Sequence, residues 1–197
     1  MITLQTACRN PRKTCTIRSL AKVALLIALI PAGLCSCKDN KQEQAQALQE
    51  LKSQYRQRLT AAMALMAATS SKCVDICSKH SSAWQSAAGS RYGSIDSAVS
   101  SSVSNNQEVI AEVELGKDAI EKIMSQLNSP PEGYSSAHAK IVSVYGTFSS
   151  LVSAAASPSG SLMTYNQNVN RIQEELLKSL NELKILIPAE DTGDDQS

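Results

Sequence analysis

Aromatic side chains are nearly missing from this sequence: one Phe, one Trp and five Tyr in 197 residues. Glycine is scarce as well, at eight residues. Sheets draw on aromatic and β-branched residues and tight hairpins on glycine, so both shortages argue against β-structure. Ala, Ser, Leu, Gln and Glu are abundant instead. That mixture suits long helices, and an all-α protein is expected. Also lacking are a glycine-rich phosphate loop, a Gly-x-Ser-x-Gly turn and any Ser, His and Asp grouping that would make an activated nucleophile. A non-enzymatic protein without a cofactor is expected.

Basic charge never gathers into a lasting patch. There are 19 Lys and Arg against 18 Asp and Glu. Five of the bases (Arg9, Arg12, Lys13, Arg18 and Lys22) lie in residues 1–36, where there is no acid. Four of the acids (Glu190, Asp191, Asp194 and Asp195) lie in the last eight residues. What remains between is neutral. Phosphate backbones are bound through clustered Lys and Arg, so nucleic acid is not an expected partner.

No apolar run is long enough to cross a bilayer. The longest, VALLIALIPAGL from Val23 to Leu34, is interrupted by Pro31 and falls short of the roughly 20 residues that a spanning helix needs. Basic residues up to Lys22 precede it and small residues follow, which is the layout of an export signal. The next stretch, LCSCKDN at 34–40, resembles the lipobox of bacterial lipoproteins: Leu34 stands three residues before Cys37, and Ser36 directly before it.

That resemblance implies diacylglycerol transfer to the Cys37 sulfur, cleavage between Ser36 and Cys37, and acylation of the new amino terminus. Each buried CH₂ contributes about 0.8 kcal/mol, so two or three palmitate-like chains hold a protein on a membrane almost permanently. The alternative is an ordinary secretory signal with Cys37 as a plain thiol. Lys38, rather than Asp, after the lipidated residue favours the outer membrane in a cell with two membranes. CKDN also resembles in part the Lys-plus-acid signal that sends some Bacteroidetes lipoproteins to the cell surface. The expected address is a membrane, reached through acyl chains, facing the periplasm or the exterior.

Beyond a polar tether at 37–44, apolar residues recur at helical spacing. Leu48, Leu51, Tyr55, Leu59, Ala62, Met66, Cys73, Cys77, His80, Trp84 and Ala87 mark a first helix from Gln44 to Ala88. Its break is expected at Gly89 and Gly93. Ile95, Val99, Val103, Val109, Ile110, Val113, Ile120, Ile123, Met124 and Leu127 mark a second, with the serine-rich stretch 94–106 dependent on packing rather than propensity. A third is expected to start at SPPEG (129–133), with Ser129 as cap and Pro130 in the first turn. Ser161 would cap a fourth that Pro188 stops. Short turns force such helices to alternate in direction. The expected fold is an elongated antiparallel bundle of about four helices over 45–188, followed by a disordered acidic tail at 189–197.

AW at 83–84, SPPEGYSSAH at 129–138, VYGTF at 144–148 and SPSGSLMTY at 157–165 together resemble a group of helical bacterial lipoproteins of unknown function. The resemblance runs from Trp84 onward and implies the helical fold and the membrane address. It brings no catalytic residues.

Two constellations could carry chemistry. In CVDICSKH, Cys73, Cys77 and His80 share one helical face, and His138 on a facing helix could complete a Cys₂His₂ zinc or redox site. The same cysteines could form a strained intrahelical disulfide. In the reading favoured here they continue the apolar stripe as small buried side chains. Second, Trp84, Tyr92, Tyr134, Tyr145, Phe148 and Tyr165 could line a groove for a small molecule or lipid, although helical spacing suits core positions better. The acids Glu112, Glu114, Asp118 and Glu121 read as a solvated face. The leading expectation is a lipid-anchored module that binds an envelope protein or acts as a spacer. A phage-encoded exclusion lipoprotein is a variant of it.

Overall fold

A computed structural model describes residues 39–90 and 94–189. The export segment, the lipobox with Ser36 and Cys37, Tyr92 and the tail from residue 190 lie outside the described residues. Among the described residues all regular structure is helical: α1 (Asp39–Ala88), α2 (Ile95–Asn105), α3 (Gln107–Ser125), α4 (Ser135–Ala156) and α5 (Leu162–Leu186). The all-α expectation holds, and the expected four helices are five.

The first helix is a single uninterrupted element of 50 residues, about 75 Å at 1.5 Å per residue. It starts at Asp39 rather than Gln44, so most of the expected tether is helical. No residue from Lys41 to Gln54 is buried, and Tyr55 is the first that is. The opening turns of α1, roughly 24 Å of helix, therefore run clear of the core. From Tyr55 the stripe Leu59, Ala62, Met66, Cys73, Ile76, Cys77, His80, Trp84 and Ala87 is buried, at the three- and four-residue spacing that keeps one helix face inward.

All four other helices pack on α1. Near its start the Tyr55 hydroxyl donates to the Leu127 carbonyl at 3.1 Å. Further along, Lys72 Nζ meets Glu112 Oε2 at 2.5 Å and Lys79 Nζ meets Asn106 Oδ1 at 3.1 Å. Rising numbers on α1 thus meet falling numbers on α3 and α2. Beside α4 the order is parallel, with Tyr134 against Tyr55 and Ala155 against His80. The last helix returns: Ser81 Oγ donates to Asn166 Oδ1 at 2.5 Å, and Lys140 pairs with Glu182.

The extra break falls at Asn106. Its side-chain Nδ2 donates to the Ser102 carbonyl at 2.7 Å and its backbone N–H bonds the same oxygen at 3.2 Å. An asparagine that competes for backbone acceptors at the end of a serine-rich stretch ends one helix and lets the next begin. The start of α4 also departs from expectation. Ser129 does not cap it, and the helix begins at Ser135 behind Tyr134. Pro131 disfavours helical backbone at Pro130 before it, Gly133 takes φ +90°, and the Tyr134 N–H closes a turn onto the Pro131 carbonyl at 3.0 Å. Ser161 does cap α5, its Oγ accepting from the Thr164 N–H at 3.2 Å.

One close approach sets the spacing of α1 and α3. A Cβ added at Gly116 would stand 2.7 Å from Thr69 Oγ1 and 3.2 Å from its methyl group. Glycine lets the two helices meet there.

Candidate functional site

The cysteine–histidine face of α1 does come together, in the interior. Cys73 and His80 are fully buried and Cys77 is 2% exposed. His80 is held at both ring nitrogens: Nε2 lies 3.0 Å from the Ala155 carbonyl of α4, and Nδ1 lies 2.8 Å from Ser102 Oγ of α2. A carbonyl only accepts, so Nε2 carries the proton, and the Ser102 hydroxyl donates to a bare Nδ1. This is a neutral imidazole joining three helices. Burial lowers its pKa, and the Ala155 bond opposes that only in part.

A zinc or redox centre does not fit this arrangement. Neither His80 nitrogen is available to a metal. His138 lies 17 residues before Ala155 on α4, about 25 Å along the helix, near the end of α4 that meets Tyr55 of α1. Among the described residues no group of His, Cys, Asp and Glu is placed to hold a metal ion. The disulfide reading fails too, since both thiols are free. Residues four apart on a helix have Cβ atoms about 5–6 Å apart, whereas a disulfide needs roughly 3.5–4.5 Å.

Burial pushes the Cys73 thiol up to about 12, helped by the neighbouring Cys77 and by Glu114. Cys77 is raised by burial as well, which the nearby Tyr165 hydroxyl opposes only in part; that hydroxyl donates to the Ala154 carbonyl at 3.1 Å. At pH 8 a thiol at about 12 holds roughly a thousandfold less thiolate than an ordinary one, and thiolate is the reactive form. Iodoacetamide treatment of the native protein, followed by peptide mapping, should find Cys73 and Cys77 unmodified, and both modified in denaturant. Rapid native labelling would contradict their burial.

Among the described residues, the expected aromatic side chains do not line one groove. Trp84, Tyr134, Phe148 and Tyr165 are buried, and they sit in separate pairs. Tyr134 meets Tyr55 edge-on at 5.2 Å near the start of α4. Trp84 meets Tyr165 at 5.3 Å near its end. Tyr145, half-buried, meets Phe148 at 6.1 Å and donates its hydroxyl to Glu121. These are core contacts, each adding to burial through ring geometry.

Among the described residues, one cleft lies where α4 ends and α5 begins, with a volume of about 620 Å³. Ser150, Ser153, Ser157, Thr164, Asn168 and Arg171 line it, and of the expected groove residues that are described Tyr165 alone reaches it. The Arg171 guanidinium is held by Asn168 Oδ1 at 3.1 Å and Glu175 Oε2 at 3.2 Å. A smaller apolar groove of about 230 Å³ separates α1 from α5 at Val74, Leu176, Leu177 and Leu180.

The residues missed in the sequence are the partners of His80 and its neighbour Lys79: Ser102 on His80 and Asn106 on Lys79. Ser102 and Asn106 are buried, although both sit in a stretch whose composition reads as surface. Their helical phase was the available signal, since Val99, Ser102 and Asn106 step by three and four onto one face. No protein-family model, no curated protein and no solved structure matches the chain.

Proposed function

We propose that this is a lipid-anchored, non-enzymatic lipoprotein of the cell envelope, an elongated antiparallel helical bundle held on the membrane by acyl chains on Cys37. It faces the periplasm or the exterior, on the outer membrane where a cell has two. It serves as a spacer or as a docking module for an envelope protein. The observation that supports this best is the continuity of α1, which begins two residues after Cys37 and runs unbroken into the core. An anchor on Cys37 is then joined to the bundle by helix rather than by a flexible tether. The exposed opening turns set the bundle's stand-off from the bilayer. No helix among the described residues is long and apolar enough to cross a membrane.

The test is incorporation of an alkyne-tagged fatty acid in cells producing the full chain. Wild type and Cys35→Ala should take up the label, and Cys37→Ala should lose essentially all of it. Label retained by Cys37→Ala would refute the anchor. The same cells, crosslinked, would yield the envelope partner.

The cleft between α4 and α5 favours a second reading, a lipoprotein that binds a small molecule, because its volume falls in the range of ligand sites. Its lining of hydroxyls, an amide and a guanidinium suits a polar ligand rather than the lipid that an aromatic groove would take.

A further inference from the structure

We propose that α2 is an acid-released flap: neutral His80 latches it onto α1 and α4 through Ser102 and Ala155, and protonation of that imidazole lets α2 lift away. The argument starts from how unequally the helices are held. Among residues 95–105 only Ser102 is buried, whereas α4 buries seven residues, including Phe148, Leu151 and Val152. Ser97, Ser100, Ser101, Ser102 and Ser104 in one short helix give it little propensity of its own. Its polar fastenings gather at one end: Ser102 on His80, and Asn106 on Lys79.

A proton added to His80 would be an unbalanced buried charge. The buried titratable groups on this part of α1 and on α5 are Cys73, Cys77 and Tyr165, none of them an anion, and Asp75 and Lys79 of α1 are exposed. Asp96, the acid of α2, stands six residues before Ser102 in the exposed first turn, and Glu108 in the first turn of α3 is exposed. The part of α4 that faces His80 carries no ionisable side chain beyond Tyr145. The hydrogen bonds themselves would survive, because Ser102 can turn to accept from Nδ1–H and donate back along its own helix. What the closed state cannot supply is a counter-charge or water. Lifting the least anchored neighbour supplies water.

The direction in pH follows. His80 has its pKa lowered when α2 is closed and returns toward about 6.5 when α2 is open. The open state therefore binds more protons below that value, and closure weakens as pH falls through about 6.5. Above it, closure is independent of pH. The weakening ends where the closed-state imidazole itself titrates.

Hydrogen exchange of the full-length protein in detergent micelles, at pH 7.5 and 5.0 and corrected for intrinsic rates, reads this directly. Residues 97–105 should exchange faster at pH 5.0, by up to about thirtyfold, with α4 and α5 unchanged. His80→Gln keeps a donor for Ala155 and an acceptor for Ser102 without a titrating group, and should remove the pH dependence. Equal protection at both pH values, or acid opening that persists in His80→Gln, would overturn the flap. Should that variant misfold, imidazole NMR of the wild type decides: a neutral Nε2–H tautomer titrating below about 6.5 supports the latch, and a pKa at or above about 6.5 refutes it.

Discussion

Replacing Phe148 with alanine should lower the stability of the folded chain by about 3–5 kcal/mol. Phe148 is the largest fully buried side chain and sits mid-way along α4, in the core cluster that joins α1, α4 and α5. The loss has two sources, the apolar surface no longer removed from water and the cavity left where helices cannot fully close. Domains have roughly 5–15 kcal/mol in hand, so the variant would sit near the edge of folding, its midpoint in urea markedly reduced. Val142, six residues earlier on α4 and 50% exposed, supplies the control: its change to alanine should shift stability by no more than about 0.5 kcal/mol. A Phe148→Ala protein as stable as Val142→Ala would contradict the packing described.

The second large effect is at Gly116. Alanine normally gains about 1 kcal/mol over glycine inside a helix. Here the new methyl would press on Thr69, a short β-branched side chain with little room to turn. Gly116→Ala should therefore destabilise by about 1–3 kcal/mol despite the propensity gain, as overpacked sites do. Thr69→Ala removes both of the closest atoms and leaves only an ordinary contact at 3.6 Å. The double variant should recover most of the loss, so the two changes will be strongly non-additive in a denaturation cycle. Additive effects would mean that α1 and α3 do not meet at this pair.

Where the sequence was legible, one physical rule governed. The stripe of α5 (Tyr165, Val169, Ile172, Leu176, Leu183) is buried, with Leu180 and Ile187 half-buried, because burial follows helical period. Gly89 and Ser161 punctuate the helices they were expected to, through local backbone chemistry. Where two local signals competed the reading failed. At SPPEG the capping pattern argued for a helix start, and the proline pair with a left-handed Gly133 delayed it. At Asn106 the side chain of one residue outweighed a continuous apolar period.

The candidate site was less legible for a different reason. Cys73, Cys77 and His80 were correctly placed on one face, but the meaning of that face depends on Ser102 and Ala155, 22 and 75 residues away. No local pattern reports such pairings. Likewise Trp84, Tyr134 and Phe148 share a composition signal with ligand grooves, and only the packing of helices assigns them to the core.

The central claim, that acyl chains on Cys37 carry the protein, is tested most directly by the intact mass of the native protein extracted from membranes. The account predicts a chain beginning at Cys37 with the added mass of a diacylglycerol and a further acyl group. A chain that still holds residues 1–36, or one that begins elsewhere without fatty acids, would contradict it.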